Sequence, residues 1–140
     1  MKKLKVFIPI VLTISVLSCK TKETTLDEML NLTNANIQFL GSFQSANNYT
    51  TIGTAKVVIE NGKRMLVLEN FKTTPGPDLK VYIATGTNPT DFTDLGALKA
   101  STGSFSYEID ASLNIEKRNH VLIWCRQFSR LFGSAIMTKQ

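Results

Sequence analysis

The sequence predicts an all-β fold, an antiparallel β-sandwich or small barrel of about seven to nine short strands. Apolar and polar residues alternate over short stretches, and turn residues separate these stretches at short intervals. No long stretch of this part of the chain has the three-to-four-residue periodicity of a helix. Residues 36–140 are enough for one compact domain with a single core, so we expect one domain there.

The clearest pair of strands flanks the dipeptide Asn61-Gly62. Asn-Gly tolerates the positive φ angles of a type I′ turn, which joins two antiparallel strands with the correct twist. Residues 54–60 and 63–69 lie on either side of it, so we predict a β-hairpin with a two-residue loop. The pairs that then share one face are Ala55 with Leu68, Val57 with Leu66, and Ile59 with Arg64.

Further strands are predicted where short apolar segments follow turn residues. Residues 79–83 come after two prolines and a glycine, and residues 104–109 alternate in the same way. Residues 120–125 are apolar on both faces, which is typical of a central strand covered on both sides. A last strand is predicted over residues 132–137.

One short helical segment is predicted before the β domain. Residues 26–32 are long enough for one or two helical turns. Thr25 precedes them as an N-cap, and Glu28 stands three residues later, as in a capping box.

The N-terminus has the layout of a secretory signal. Lys2, Lys3 and Lys5 precede an apolar stretch at residues 6–16, which is shorter than the roughly 20 residues of a membrane span. The sequence Val-Leu-Ser-Cys at residues 16–19 resembles the lipobox of a bacterial lipoprotein. The resemblance implies that Cys19 carries a diacylglyceryl group and that its amine is acylated, for example with palmitate. An ordinary signal peptide that leaves Cys19 as a thiol is the alternative.

These patterns divide the chain into three parts. Residues 1–18 are the signal peptide, residues 19–35 are the lipidated cysteine with a flexible linker, and residues 36–140 are the β domain. We expect a lipoprotein of the bacterial cell envelope, held to a membrane through its N-terminal lipid, in the outer membrane or facing the periplasm. Lys20 disfavours inner-membrane retention, by resemblance to lipoprotein sorting patterns.

The charge distribution excludes a nucleic-acid partner. Three of the 16 Lys and Arg residues lie in the signal, so thirteen remain against eleven Asp and Glu, a net charge of +2. No basic cluster with interleaved aromatic residues occurs, and the mixed charges are typical of a solvated surface.

Four segments in order resemble one family. They are Gly-Pro-Asp-Leu-Lys-Val-Tyr-Ile at 76–83, Leu-Gly-Ala-Leu-Lys at 95–99, Gly-Ser-Phe-Ser-Tyr at 103–107 and Val-Leu-Ile-Trp-Cys at 121–125. Over residues 41–137 the chain resembles the DM-thirteen family, the electron-transfer DM domain. The resemblance implies a β-rich extracytoplasmic domain with one characteristic cysteine, here Cys125. This cysteine would act in redox chemistry as a bare thiol or as a ligand to a prosthetic group such as haem.

From the residues alone, two interpretations of Cys125 stay open. If Cys19 is lipidated, Cys125 is the only thiol left, and an unpaired cysteine in an exported chain points to a reactive group. The alternative is a small buried hydrophobe at the end of an apolar strand. An accessible sulfur favours the first interpretation, and a sulfur sealed in the core favours the second.

A reactive thiol needs a cation or a metal to stabilise its thiolate. Strand alternation sends Arg126 to the opposite face from Cys125. Arg130, in the predicted turn, can fold back towards the sulfur. A hairpin centred near residues 129–130 would place Ser134 opposite Cys125.

The sequence contains few residues that could bind a metal or haem, and few catalytic motifs. His120 lies five residues before Cys125 and therefore on the opposite face of an unbroken strand, and Met65 and Met137 are the conceivable axial ligands of a haem. We predict no metal site and no classical enzyme site, because no paired CxxC, no calcium loop and no nucleophile elbow occurs.

Two functions remain. One is a redox accessory protein in which Cys125 exchanges electrons or forms a transient mixed disulfide with an envelope partner. The other is a non-catalytic binding or structural module that presents loops such as residues 85–93.

Overall fold

The computed structural model describes residues 21–32 and 35–140. The predicted signal peptide and Cys19 lie outside these residues. The regular structure of the described part is entirely β, and it contains no helix of the length and apolarity needed to cross a membrane. The strands are β1 (Thr25–Asp27), β2 (Asn36–Ser45), β3 (Thr51–Glu60), β4 (Lys63–Thr73), β5 (Leu79–Ala84), β6 (Phe92–Ala97), β7 (Thr102–Glu108), β8 (His120–Cys125), β9 (Arg130–Ile136) and β10 (Thr138–Lys139).

The strands form one continuous sheet that curls over into two layers. Its order is β1-β7-β4-β3-β2-β9-β8-β5-β6, and β10 pairs with β2 beside this path. All pairs are antiparallel except β1 with β7, which is parallel. The predicted all-β sandwich or small barrel is confirmed, with one parallel pair at an edge as the difference.

Strand β2 joins the two layers because its pairing changes along its length. Residues 36–42 pair with β3 in the first layer, whereas Phe43 to Ser45 pair with β9 in the second. A register shift between Ile37 and Phe39 bends the strand near its start. One strand therefore closes the curl that encloses the core.

The core lies between the layers and is built by alternate residues of the strands. Phe71 lies near its centre and makes edge-to-face contacts with Phe43 and Phe105, with ring centroids 5.2 and 5.8 Å apart. Three of the predicted strands each bury one alternating set of residues in this core: Leu79, Val81 and Ile83 of β5, Phe105 and Tyr107 of β7 with Ile109, and Val121, Ile123 and Cys125 of β8.

The hairpin at Asn61-Gly62 is confirmed with the predicted register. Glu60 pairs with Lys63, and the three pairs expected to share a face are all present. Asn61 has φ of 49° and Gly62 has φ of 76°, the left-handed values that a type I′ turn requires.

The predicted helical turns at residues 26–32 are wrong. Thr25–Asp27 form β1, because the backbone of this segment bonds to β7: Thr102 N donates to Thr24 O and Glu28 N donates to Ser104 O. Leu26 packs against the core at the same time. Strand pairing with tertiary burial outweighs a local capping pattern, since a short isolated helix is marginal in water.

Candidate functional site

Cys125 is the last residue of β8 and lies inside the core. It pairs with Leu79 of β5 on one side and with Arg130 of β9 on the other. It is the free cysteine of the described residues, and its exposed fraction is 0%. The thiol is therefore placed where a small apolar side chain would be.

The segment before β5 closes the core beside Cys125. Gly76 lies so close to Leu79 and Phe132 that a Cβ there would come within 2.9 Å of Leu79 Cδ2 and 3.1 Å of a Phe132 ring carbon. A shallow cavity of about 240 Å³ between this segment and Thr24 is lined by Leu79 and not by Cys125. We call this region, made of Cys125, Leu79, residues 74–78 and Thr24, the Cys125 end.

The cations beside Cys125 in the sequence are directed to solvent. Arg126 Nε donates to Asp78 Oδ2 at 2.7 Å, and the Arg126 side chain is 63% exposed. This hydrogen bond, with the charge of Asp78, raises the pKa of Arg126. The expectation that Arg126 turns away from the sulfur agrees with this position. Arg130 is exposed at the start of β9.

The predicted pairing of Ser134 with Cys125 is wrong. Ser134 pairs with Leu122, and Cys125 pairs with Arg130. The turn occupies residues 126–129 and is centred two residues earlier than expected, and Arg126 N donates to Asp78 O, which extends the β5–β8 ladder by one pair. A register shift between Ile123 and Trp124 adds to the offset.

The residues around Cys125 do not fit a haem. The sulfur lies in packed core, and the conceivable second ligands are remote from it. Met137 N bonds to Asn119 O beside His120, at the other end of β8, and Met65 pairs with Glu108 at the far end of β4. Nor does the described part of the chain contain a group of three or more His, Cys, Asp or Glu side chains that could hold a metal ion.

His120 is separated from Cys125 by the length of β8. Its Nδ1 lies 2.7 Å from Asn119 Oδ1, and the residue is half-buried. Five strand residues span about 17 Å, so the two side chains cannot share a ligand.

The opposite end of the sandwich contains a site that the sequence reasoning missed. Arg64 lines a cavity of about 490 Å³ between the start of β2 and residues 111–116. The hairpin register places Arg64 on the same face of β4 as Leu66 and Leu68, which are fully buried. A charged residue at an inward-facing strand position was the available signal. We call this region, made of Arg64, the Asn61-Gly62 turn and residues 110–119, the Arg64 end.

The loop at residues 85–93 is held to the body of the protein. Arg118 Nε donates to Asp91 Oδ1 at 3.1 Å, and Arg118 Nη1 donates to Thr93 Oγ1 at 3.0 Å. Thr87 and Asn88 line a shallow, open cavity together with Trp124 and Phe128. The loop is therefore a fixed surface that contains the exposed Phe92 and lies beside the exposed Phe128.

The sequence was compared with models of known protein families, with curated proteins and with solved structures. The model of the family Electron transfer DM13 matches residues 42–137, which is more than half of the chain and spans β3 to β9. The chain belongs to this electron-transfer DM13 family. No curated protein and no solved structure matches the chain.

Proposed function

We propose that the protein is a lipid-anchored component of the bacterial cell envelope that takes part in electron transfer through Cys125. The family match supports the electron-transfer role. The lipobox-like sequence ending at Cys19 supports the anchor, and membership of the family supports Cys125 as the reactive group. The position of Cys125 at the end of β8, next to the turn at residues 126–129, is the structural observation on which its role depends.

The attachment of β1 sets the orientation of the anchored domain. Thr24 O accepts from Thr102 N, and Thr24 N donates to Ser101 Oγ at 2.9 Å, so the folded part begins at Thr24. Five residue steps separate Cys19 from Thr24, a reach of about 18 Å at most. A lipidated Cys19 therefore holds the Cys125 end near the membrane surface, and an electron partner in or on that membrane is within reach.

The buried thiol restricts the chemistry to states in which the Cys125 end opens. In thiol–disulfide exchange the Cys125 thiolate attacks a disulfide of the partner, a new S–S bond forms, and one partner sulfur leaves as a thiolate. The attacking sulfur must lie in line with the partner's S–S bond. Separation of the turn at residues 126–129 from residues 74–78 would expose it, because Arg126 joins the two through Asp78.

The anchor is tested by replacing Cys19 and following the protein in cell fractions. We expect the wild-type mature N-terminus to carry the mass of a diacylglyceryl group and an acyl chain on Cys19. Cys19→Ala should abolish this modification and release the protein from membranes. An unmodified Cys19, or membrane association that survives Cys19→Ala, would contradict the lipoprotein assignment.

The redox role is tested by the labelling rate of Cys125 in the mature protein with a maleimide. We expect labelling that is slower than in the unfolded chain at the same pH, yet faster than global unfolding, since only the Cys125 end needs to open. A labelling rate equal to the global unfolding rate would remove the redox proposal. Added haem should give no bound absorption band.

The burial of Cys125 specifically favours a second function, a non-catalytic module. In that case the cysteine is core packing, and recognition lies in fixed loops such as residues 85–93. Cys125→Ala separates the two functions, because it removes the thiol without burying a new polar atom. A folded Cys125→Ala protein that complements a deletion strain supports the module, and one that does not complement supports the redox role.

A further inference from the structure

The guanidinium of Arg64 is held in place by three neutral oxygens. Its Nε donates to Gln38 Oε1 at 3.1 Å, and its Nη1 donates to the backbone oxygens of Leu113 at 2.7 Å and Ala111 at 3.3 Å. These bonds come from β2 and from the loop after β7. They fix the plane of the group and leave Nη2 without a protein acceptor among the described residues.

Among the described residues, Arg64 has no Asp or Glu partner. All eleven Asp and Glu residues of the sequence lie within the described residues, and none is within 4.0 Å of Arg64. The acids closest in the chain to the loop already have other partners, and the pair of Glu116 with Lys139 lies in the lining of the same cavity. Ser112 donates to Asp110 by its hydroxyl and its backbone N–H, and Lys139 Nζ lies 2.7 Å from Glu116.

This arrangement differs from that of the other half-buried cations in the described chain. Lys56 is paired with Glu69 and Arg118 with Asp91. Lys80 has no carboxylate partner, but it pairs on β5 with Trp124 and does not line the cavity. A half-buried charge without a partner is costly, and a guanidinium with a free edge matches the two oxygens of a carboxylate.

The apolar lining and the volume of the cavity limit the kind of molecule that fits beside Arg64. Ile37 is exposed at its rim, and Leu113, which is half-buried, adds apolar surface. A volume of about 490 Å³ is in the range of small-molecule sites, which combine apolar walls with a few fixed polar groups. The lining therefore accommodates more than a simple inorganic anion.

We propose that the Arg64 end binds a small amphipathic carboxylate, whose carboxylate is held by the free edge of the Arg64 guanidinium and whose apolar body lies against Ile37 and Leu113. This site is separate from Cys125 and does not rest on the proposed electron transfer.

Benzoate is a suitable probe, and benzamide is its neutral counterpart of the same shape. In a titration followed by amide NMR shifts, benzoate should perturb Gln38, Arg64 and residues 111–115 and saturate in the millimolar range, and benzamide should not. Arg64→Gln should weaken benzoate binding at least tenfold. Lys80→Gln removes one positive charge outside the cavity and should leave binding unchanged, which controls for net charge.

Two further arms keep the test decisive if Arg64→Gln disturbs the loop. Ile37→Asp retains Arg64 and its three acceptors but adds a carboxylate at the exposed rim, so it should also weaken benzoate binding at least tenfold. Inorganic phosphate at the same ionic strength should bind more weakly than benzoate, because it has no apolar body. Equal binding of benzamide, equal binding of phosphate, or unchanged benzoate binding in both variants would overturn the proposal.

Discussion

At the Cys125 end the thiol is fully buried behind Leu79, and the backbone of Gly76 leaves no room for a Cβ over that packing. At the Arg64 end a charged side chain on the same kind of inward-facing strand position lines a cavity of about 490 Å³. Cys125, to which family membership points as the reactive residue, thus lies at the closed end. The open cavity lies at the Arg64 end. A redox reaction at Cys125 would require the Cys125 end to open, whereas a ligand could bind at the Arg64 end without such a motion.

The closed end should be opened most strongly by Leu79→Ala. The change shortens a side chain that is paired with Cys125 and also lines the neighbouring cavity, so we expect a loss of about 2–5 kcal/mol in the free energy of unfolding and much faster maleimide labelling of Cys125. Leu66→Ala is the matched control, because Leu66 is a fully buried leucine of the same core near Arg64. Equal acceleration of labelling in the two variants would mean that the Cys125 end does not open separately.

Cys125→Ser tests whether water is excluded from the position of the Cys125 sulfur. The new hydroxyl would lie in an apolar environment without a designated partner, so we expect a loss of about 1–3 kcal/mol in the free energy of unfolding, more than for Cys125→Ala. Denaturant unfolding of the two variants gives this difference. If Cys125→Ser were as stable as the wild type, water would reach the site, and the comparison between a closed and an open end would fail.

Gly62→Ala tests how far the turn at the Arg64 end depends on the left-handed φ of Gly62. A Cβ at Gly62 meets no atom within 4 Å, but φ of 76° is unfavourable for alanine. We expect a loss of about 1–2 kcal/mol in thermal or denaturant unfolding. Gly86→Ala also meets open space, without a left-handed φ, and should be neutral or slightly stabilising. Similar losses in both variants would show that the left-handed φ of Gly62 is not what limits the substitution there.

Local patterns predicted the strands, and long-range contacts determined what the sequence could not provide. The hairpin register follows from Asn61-Gly62 alone, because a two-residue loop fixes every pair beyond it. The register of β8 with β9 depends on the irregularity between Ile123 and Trp124, which the alternation of the sequence does not mark. The fate of residues 25–28 likewise depends on β7, so no local signal distinguished strand from helix there.

For Cys125 and Arg64, the sequence likewise indicated the residue but not its surroundings in the fold. The resemblance identified the family and pointed to Cys125, but burial of the thiol is a property of how β5, β8 and β9 pack together. Arg64 was already placed opposite Ile59 on the inward face. Its role as a cavity side chain depends on residues 111–113, whose position follows from no sequence periodicity.

The smallest expected effect concerns the edge of the sheet at which β1 pairs with β7. Glu28, directly after β1, accepts hydrogen bonds from Ser106 of β7 there. Burial acts to raise the pKa of Glu28, but hydrogen bonds from Lys99 and Ser106 outweigh it, and the pKa is lowered from its ordinary value of 4.5. A lowered folded-state pKa means that the ionised carboxylate stabilises the fold. This contribution is complete above pH 4.5 and is lost as the pH falls through the lower folded value.

Amide hydrogen exchange of Ser106 measures this effect directly, because its N–H donates to Glu28 Oε2 at 2.9 Å. We expect protection of Ser106 to decrease below pH 4.5, by less than about 1 kcal/mol since the pair with Lys99 is partly exposed. Glu28→Gln should remove the pH dependence. Glu108→Gln breaks the exposed pair with Lys63 at the other end and should leave it intact. Loss of the pH dependence in Glu108→Gln would show that the charge of the whole surface, and not the attachment of β1, controls this edge.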